Sequence, residues 1–153
     1  MPKSSSKTPP DDNALFRLLN EIGIIDQLVT ARFNSALPHR LTPAQFGVLN
    51  HFVRLGGVRS PAALADAFQV TRATITSTLQ KLDAKGFIDI SPDPIDGRAK
   101  CVSITETGRA ARADALRDAD PMFRDIAEAI TPDDIAALLP MLEKLRIWLD
   151  TNR

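Results

Sequence analysis

The pattern of apolar and polar positions is clearest between residues 71 and 109. Ile75, Leu79 and Leu82 recur at helical spacing, so they are predicted to face a core while the opposite side of the helix stays polar. Gly86 ends this helix, and two short strands, 87–91 and 100–104, follow around a tip rich in proline, aspartate and glycine. A short polar helix followed by a β-hairpin is the outline of a winged helix-turn-helix.

The starts of other helices are also marked in the sequence. Hydroxyl residues stand directly before prolines at positions 42, 60 and 131, which is typical of an N-cap followed by the first helical residue. Gln45 and Asp134 lie at the reciprocal position of a capping box. A very short strand around Val58-Arg59 is placed to pair with the hairpin. The predicted helices run near 13–35, 43–55, 61–67, 72–85, 106–129 and 133–151.

The first and last helices carry apolar residues on more than one face, which indicates burial on several sides. The chain has no central bundle large enough to cover them, so a second copy of the chain is the expected cover, and a thick monomer core is the alternative. Pro140 lies inside the last helix, where it removes a backbone bond to Ala136 and is expected to kink or restart the helix.

These patterns predict a mainly α fold with a small β-hairpin wing: a winged helix-turn-helix with N- and C-terminal dimerisation helices. Residues 1–12, rich in Ser, Pro and Lys, are predicted to be a disordered tail. Residues 13–153 are predicted to form a single domain, with the winged core at about 43–105 and the dimerisation helices at about 13–35 and 106–151.

Composition excludes several classes of protein. No apolar run approaches the roughly 20 residues of a membrane span, and the N-terminus has no hydrophobic stretch typical of a secretory signal, so a cytoplasmic protein without membrane contact is expected. Cys101 is the only cysteine, which excludes an internal disulfide and a multi-cysteine metal site. It is interpreted as a small buried hydrophobe on a wing strand, with redox sensing as a minor alternative. His39 and His51 have no ligand partner at helical spacing, so no metal and no cofactor are expected.

The formal net charge is zero, but the charges are not spread evenly. Residues 1–58 carry six basic and four acidic side chains, residues 59–112 carry eight and six, and residues 113–153 carry five and nine. The two earlier segments are therefore each +2 and the last is −4. Because the acidic excess lies far along the chain from the winged segment, that segment can still present a positive face.

The polar face of the helix at 72–85 offers short hydroxyls, one amide and one guanidinium. Hydroxyls bond phosphates or base edges, and Arg72 is the first candidate for a guanine or phosphate contact. An ordinary solvated face is the alternative, although four threonines among the first eight residues are a poor choice for one. The candidate DNA contacts on this helix are Thr71, Arg72, Thr74, Thr76, Ser77 and Gln80.

The wing supplies the remaining candidates. Arg98 follows the tip and Lys100 lies two residues further on, on the same face of a strand, so a projected arginine is placed to enter a narrow minor groove. Asp96 is positioned to hold the Arg98 guanidinium through a hydrogen-bonded ion pair. The alternative is an exposed hairpin with incidental charges.

The stretch from residue 64 to residue 110 resembles the multiple-antibiotic-resistance regulator (MarR) family. The similarity rests on the helix end Leu82 to Phe87, the wing triplet Asp96-Gly97-Arg98 and the helix entry Ile104 to Gly108. It implies a homodimeric transcriptional regulator, usually a repressor, whose two recognition helices bind a palindromic DNA site. It also implies that Arg98 and Asp96 are the family's wing residues. Gly97 stands where the family often has a second arginine, which favours a weaker minor-groove contact.

The same resemblance implies a small aromatic or phenolic effector, bound between the dimerisation helices and the DNA-binding core. An ordinary apolar core is the alternative for the residues concerned. An enzyme is not expected, because no phosphate-binding glycine loop, zinc helix or nucleophile elbow occurs. A winged-helix module that binds proteins instead of DNA is the second alternative. The candidate lining residues are Phe16, Leu19, Leu28, His51, Phe52, Arg54, Met122 and Phe123.

Overall fold

The structure, a computed structural model, describes residues 12–152, which form seven helices and one β-hairpin. The predicted tail, residues 1–12, lies outside these residues except for its last member, which begins the first helix. The elements in chain order are α1 Asp12–Ser35, α2 Pro43–Leu55, α3 Pro61–Phe68, α4 Arg72–Ala84, β1 Ile88–Pro92, β2 Lys100–Ile104, α5 Glu106–Asp118, α6 Asp120–Ala127 and α7 Pro132–Thr151.

The chain divides into two compact units, Met1–Ala36 and Leu37–Arg153. Helix α1 belongs to the first unit, and every later element belongs to the second. The interpretation of residues 13–153 as one domain stays a prediction.

The core of the second unit is built from α2 to α5 and the hairpin. The predicted inward face of α4 is confirmed, since Ile75, Leu79 and Leu82 are all at most 3% exposed. They pack in one cluster with residues from each neighbouring element. The largest fully buried side chains are Phe52, Leu49, Leu64, Leu79, Leu82, Ile88, Val48 and Val102.

The helix starts form as the sequence predicts. The Thr42 hydroxyl accepts the backbone N–H of Gln45, whose side chain accepts the backbone N–H of Thr42 in return. Thr131 and Asp134 form the same reciprocal pair at the start of α7. Each pair satisfies N–H groups that a helix start leaves without partners, which is why these bounds can be predicted closely.

The hairpin is antiparallel, with Ile88 opposite Ile104 and Ser91 opposite Cys101. Its first strand is displaced by one residue from the predicted 87–91, and its second strand matches the prediction. The short third segment is also confirmed, because Arg59 exchanges both backbone hydrogen bonds with Val102, at 3.0 and 2.8 Å. This bridge attaches the base of the wing to the chain that leads into α3.

One prediction for the C-terminal helices is wrong, and of the two effects expected at Pro140, a kink or a restart, the restart is excluded. The predicted single helix 106–129 is divided at Ala119 into α5 and α6, because Pro121 has no N–H to bond the carbonyl of Arg117 and its ring crowds that turn. Conversely, α7 does not restart at Pro140 and is continuous from Pro132 to Thr151. The fixed φ of proline suits a helix, so a long helix can continue after the loss of a single backbone bond.

The end of α4, the start of β1 and the start of α5 meet at one backbone contact. The hydroxyls of Thr105 and Thr107 both donate to the carbonyl of Gly86, at 2.7 and 2.8 Å. Gly108 lies so close to the next carbonyl, that of Phe87, that a Cβ on Gly108 would be 2.0 Å from the oxygen. Gly86 itself has a φ of 71°. The junction therefore requires glycine at two positions, one for its backbone conformation and one for space.

We expect Gly108→Ala to lower the free energy of unfolding by about 1–3 kcal/mol or more, because the added methyl group forces the α5 start away from the wing. Gly97→Ala is the matched control, since a Cβ at Gly97 meets nothing within 4 Å. Urea unfolding followed by circular dichroism, at one fixed protein concentration, measures both variants. Equal stability of the two variants would contradict this account of the junction.

Candidate nucleic-acid interface

The outward face of α4 consists of the residues predicted from the sequence. Thr71, Arg72, Thr74, Thr76, Ser77 and Gln80 are all exposed. Two of these hydroxyls also hold the helix start, because Thr71 Oγ1 accepts the N–H of Thr74 at 3.1 Å and lies 2.9 Å from Thr74 Oγ1. Within the described chain the side chains of Arg72, Thr76, Ser77 and Gln80 make no such internal bonds, so these four are the more available for a ligand.

A groove of about 290 Å³ lies between α4 and the wing. Thr76 and Gln80 contribute to one wall, and Arg98 and Lys100 contribute from the wing. The structure thus brings together polar helix residues and basic wing residues that are about 20 positions apart in the sequence. Pro61, Leu79 and Ile90 complete the lining.

The wing tip is shaped by Asp93, which sequence analysis did not single out. Its Oδ1 accepts the backbone N–H groups of Ile95 and Asp96 at 2.8 and 3.1 Å, and these bonds, with a smaller contribution from the Cys101 thiol, lower the pKa of Asp93. Aspartate before a proline turn commonly bonds the backbone two residues on, so the Asp93-Pro94 pair was the available signal.

The predicted ion pair between Asp96 and the Arg98 guanidinium is wrong. Asp96 Oδ1 instead accepts the backbone N–H of Arg98 at 3.1 Å. The Asp96 carbonyl accepts the N–H of Ala99, and the Asp93 N–H bonds the carbonyl of Ala99. Both acidic side chains of the tip therefore build the turn, and the Arg98 guanidinium remains exposed for a partner.

Cys101 is only partly buried, so its interpretation as a fully buried hydrophobe needs correction. Its thiol donates to Asp93 Oδ2 at 3.5 Å. Partial burial, this hydrogen bond and the negative charge of Asp93 all raise the pKa of the Cys101 thiol. The reactive thiolate is therefore disfavoured at neutral pH, which argues against an oxidant sensor at this position.

Lys85 forms hydrogen bonds to distant residues that the sequence did not predict. Its Nζ donates to the carbonyls of His39 and Arg40, at 3.2 and 2.8 Å, and to Oε1 of the buried Gln45 at 2.9 Å. Desolvation and the nearby Arg40 lower the pKa of Lys85. His39 in turn bonds Asp114 of α5 at 2.6 Å. The C-terminal end of α4 is thereby fixed to the loop before α2 and, through His39, to α5.

The predicted effector residues do not share one environment. Phe52 is fully buried and Met122 is 6% exposed, so both belong to apolar packing. The His51 ring is half-buried, with its centroid 5.3 Å from that of Phe68, while Arg54 is exposed. Burial, followed by the charges of Arg54 and Arg59, lowers the pKa of His51. The predicted α1 residues Phe16, Leu19 and Leu28 are exposed within their own unit, and Phe123 is exposed on α6.

Comparison with known proteins decides the family. A model described as MarR family matches residues 40–99, the segment that contains α2 to the wing tip. The transcriptional repressor NicR of Pseudomonas putida is 32% identical over 152 residues, which cover 94% of this chain and 93% of NicR. The chain belongs to the MarR family. It is thus a DNA-binding transcriptional regulator, a class whose members are not enzymes.

Solved MarR-family structures share the fold. A MarR variant from E. coli in complex with operator DNA is 27% identical to this chain, with a TM-score of 0.68. The alignment covers 87% of this chain and 96% of the variant. BpsR of Bordetella bronchiseptica, whose DNA binding is regulated by 6-hydroxynicotinic acid, is 26% identical to this chain, with a TM-score of 0.62. The alignment covers 95% of this chain and 98% of BpsR.

Neither a membrane-spanning helix nor a metal-ligating cluster occurs within the described residues. No helix between residues 12 and 152 is long and apolar enough to cross a membrane. Over the same range, no three His, Cys, Asp or Glu side chains are grouped so that they could hold a metal ion.

Proposed function

We propose that this MarR-family protein is a repressor that binds a palindromic operator as a homodimer in the cytoplasm. The observation that carries the proposal is the groove between α4 and the wing, where polar helix residues and two basic wing residues face the same space. A recognition helix with a basic wing beside it suits one half-site, in which the helix enters the major groove and the wing follows the neighbouring backbone or minor groove.

Pairing of two chains is supported by apolar side chains that the single chain leaves exposed. Helix α7 has no buried residue among its described positions. Its Met141 and Trp148 side chains, which lie seven residues apart on one side of the helix, are 62% and 61% exposed. In α1, Phe16 and Leu28 are 67% and 63% exposed. Apolar surface of this extent on two helices is typical of an interaction site, and a symmetric second copy supplies an equally apolar partner.

We expect the wild-type protein to have about twice the mass of its 16.7 kDa chain at micromolar concentration. The double variant Met141→Glu/Trp148→Glu should shift to the monomer, because it places buried charges in the interface. Glu143→Lys, on the opposite side of the same helix, is the control, and light scattering coupled to size exclusion measures all three. A wild-type monomer at that concentration would contradict the homodimer.

DNA binding is proposed to depend on Arg98 because its guanidinium is exposed, lines the groove and is not neutralised by Asp96. A basic side chain placed at phosphates or in a narrow minor groove contributes an electrostatic term that salt weakens. Thr76 and Gln80 on the opposite wall are suited to base edges or phosphates.

We expect Arg98→Ala to weaken binding to the DNA upstream of the protein's own gene by about tenfold or more. It should also lower the slope of log affinity against log salt concentration by about one. Arg124→Ala is the control, since Arg124 is on α6 and pairs with Asp120 at 2.7 Å. Fluorescence anisotropy with the upstream region and with a random duplex, at several salt concentrations, gives affinity, slope and specificity. Unchanged binding by Arg98→Ala would remove the wing from the interface.

We further propose that an aromatic acid of the hydroxynicotinate class releases the protein from DNA. The support is the similarity, over nearly the whole chain, to BpsR, whose DNA binding 6-hydroxynicotinic acid regulates. In this chain a carboxylate is suited to the half-buried His51 ring, where the charges of Arg54 and Arg59 already act. The participation of Phe16, Leu19, Phe52 and Met122 stays a prediction.

We expect 6-hydroxynicotinate to release the operator at a lower concentration at pH 6 than at pH 8. Burial, and after it the charges of Arg54 and Arg59, lower the pKa of His51. A bound carboxylate offsets the charges of the two arginines, raises that pKa and makes binding take up a proton. Arg54→Gln should weaken release, and Arg124→Gln should not. Release that is the same at both pH values and in both variants would place the effector elsewhere.

A further inference from the structure

Ile95 lies at the tip of the wing, a fully exposed turn position where charged or polar residues are usual. The Ile95 side chain is 98% exposed, the largest exposed fraction of any large apolar residue among the described residues. It follows Pro94, which is also exposed, so the projecting end of the hairpin is apolar. The other strongly exposed apolar residues lie mainly on α1 and α7, whereas Ile95 is isolated from them in the sequence.

The tip that presents Ile95 is fixed by hydrogen bonds. The backbone N–H of Ile95 donates to Asp93 Oδ1 at 2.8 Å, and the same oxygen accepts the N–H of Asp96. The Asp96 carboxylate and carbonyl then bond the backbone of Arg98 and Ala99, which closes the turn. A side chain on such a turn can contact a partner with little loss of backbone entropy on binding.

Charge attraction alone does not explain what this tip contacts. Asp93 and Asp96 equal Arg98 and Lys100 in number, so the hairpin end is formally neutral, although neither carboxylate pairs with either basic side chain among the described residues. Both carboxylates are already occupied by backbone N–H groups of the tip. The residue left pointing outward at the apex is apolar, and it lies three positions before the proposed DNA contact Arg98.

We infer that Ile95 is the apolar contact of the wing with DNA, packing against the deoxyribose walls of the minor groove beside the site of Arg98. Apolar side chains, isoleucine among them, enter minor grooves in other DNA-binding proteins and contact sugars or base steps there. The inference rests on the proposed operator binding and adds a contact that salt does not screen.

The test is the affinity of Ile95→Ala for the same upstream duplex over a series of salt concentrations. We expect binding about fivefold weaker at every salt concentration with an unchanged salt slope, since apolar area is lost and no phosphate contact is removed. Ile95→Leu should retain most of the affinity. Leu55→Ala, which truncates a residue 50% exposed on α2, is the matched control and should bind as the wild type does.

Hydroxyl-radical footprinting locates the contact, because the radical cleaves at deoxyribose hydrogens that line the minor groove. Wild-type protein should protect the sugars at the wing position of each half-site, and Ile95→Ala should lose that protection alone. Thermal unfolding of each variant shows that the fold is retained, as expected for a fully exposed position.

The possible failures can be told apart. If the wild type binds neither the upstream duplex nor other DNA, the proposed function fails. If the wild type binds while Ile95→Ala has the same affinity and the same footprint, only the assignment of Ile95 is overturned. A loss equal in Ile95→Ala and Leu55→Ala, or a changed salt slope in Ile95→Ala, also overturns it.

Discussion

The position of the wing beside the recognition helix depends on the approach of Gly108 to the carbonyl of Phe87. There is no room for a Cβ at Gly108, and the hydroxyls of Thr105 and Thr107 bind the carbonyl of Gly86 from the same side. Three elements are thereby joined by two hydroxyl-to-carbonyl hydrogen bonds and one close backbone approach. None of these contacts uses a side chain proposed to contact DNA, so the position of the hairpin beside α4 does not depend on those side chains.

The same separation of roles explains how a neutral chain can present a DNA-binding face. The two carboxylates of the wing tip, those of Asp93 and Asp96, accept hydrogen bonds from the wing's own backbone. Arg98 and Lys100 line the groove without an ion pair to either of them among the described residues. What matters for a phosphate is the local arrangement of charge, since exposed charges more than about 10 Å apart are largely screened at 0.1 M salt. Formal net charge is therefore a poor guide to this surface.

Much of the fold could be predicted because its signals are local. A hydroxyl before a proline satisfies a helix start within three residues, so α2 begins where the sequence predicts. The contacts that sequence analysis missed join distant residues or depend on turn geometry. Lys85 bonds carbonyls 45 and 46 positions earlier. Whether Asp96 bonds a guanidinium or a backbone N–H is decided by the turn. Pro121 was a local signal that was overlooked, whereas Pro140 shows that a proline alone does not end a helix.

Apolar residues are used in two different ways in this chain. Those of α2 to α5 and the hairpin close a core that needs no second copy, with Phe52 and Leu49 wholly buried. Those of α7 cover nothing comparable, since none of its described residues is buried. Because the core of this DNA-binding unit is already closely packed, we expect its internal structure to change little when the regulator passes between its DNA-bound and released states. In the proposed homodimer we therefore expect control to act on the spacing of the two units, because a rigid recognition helix fits a half-site only when its partner lies one or more helical turns of DNA away.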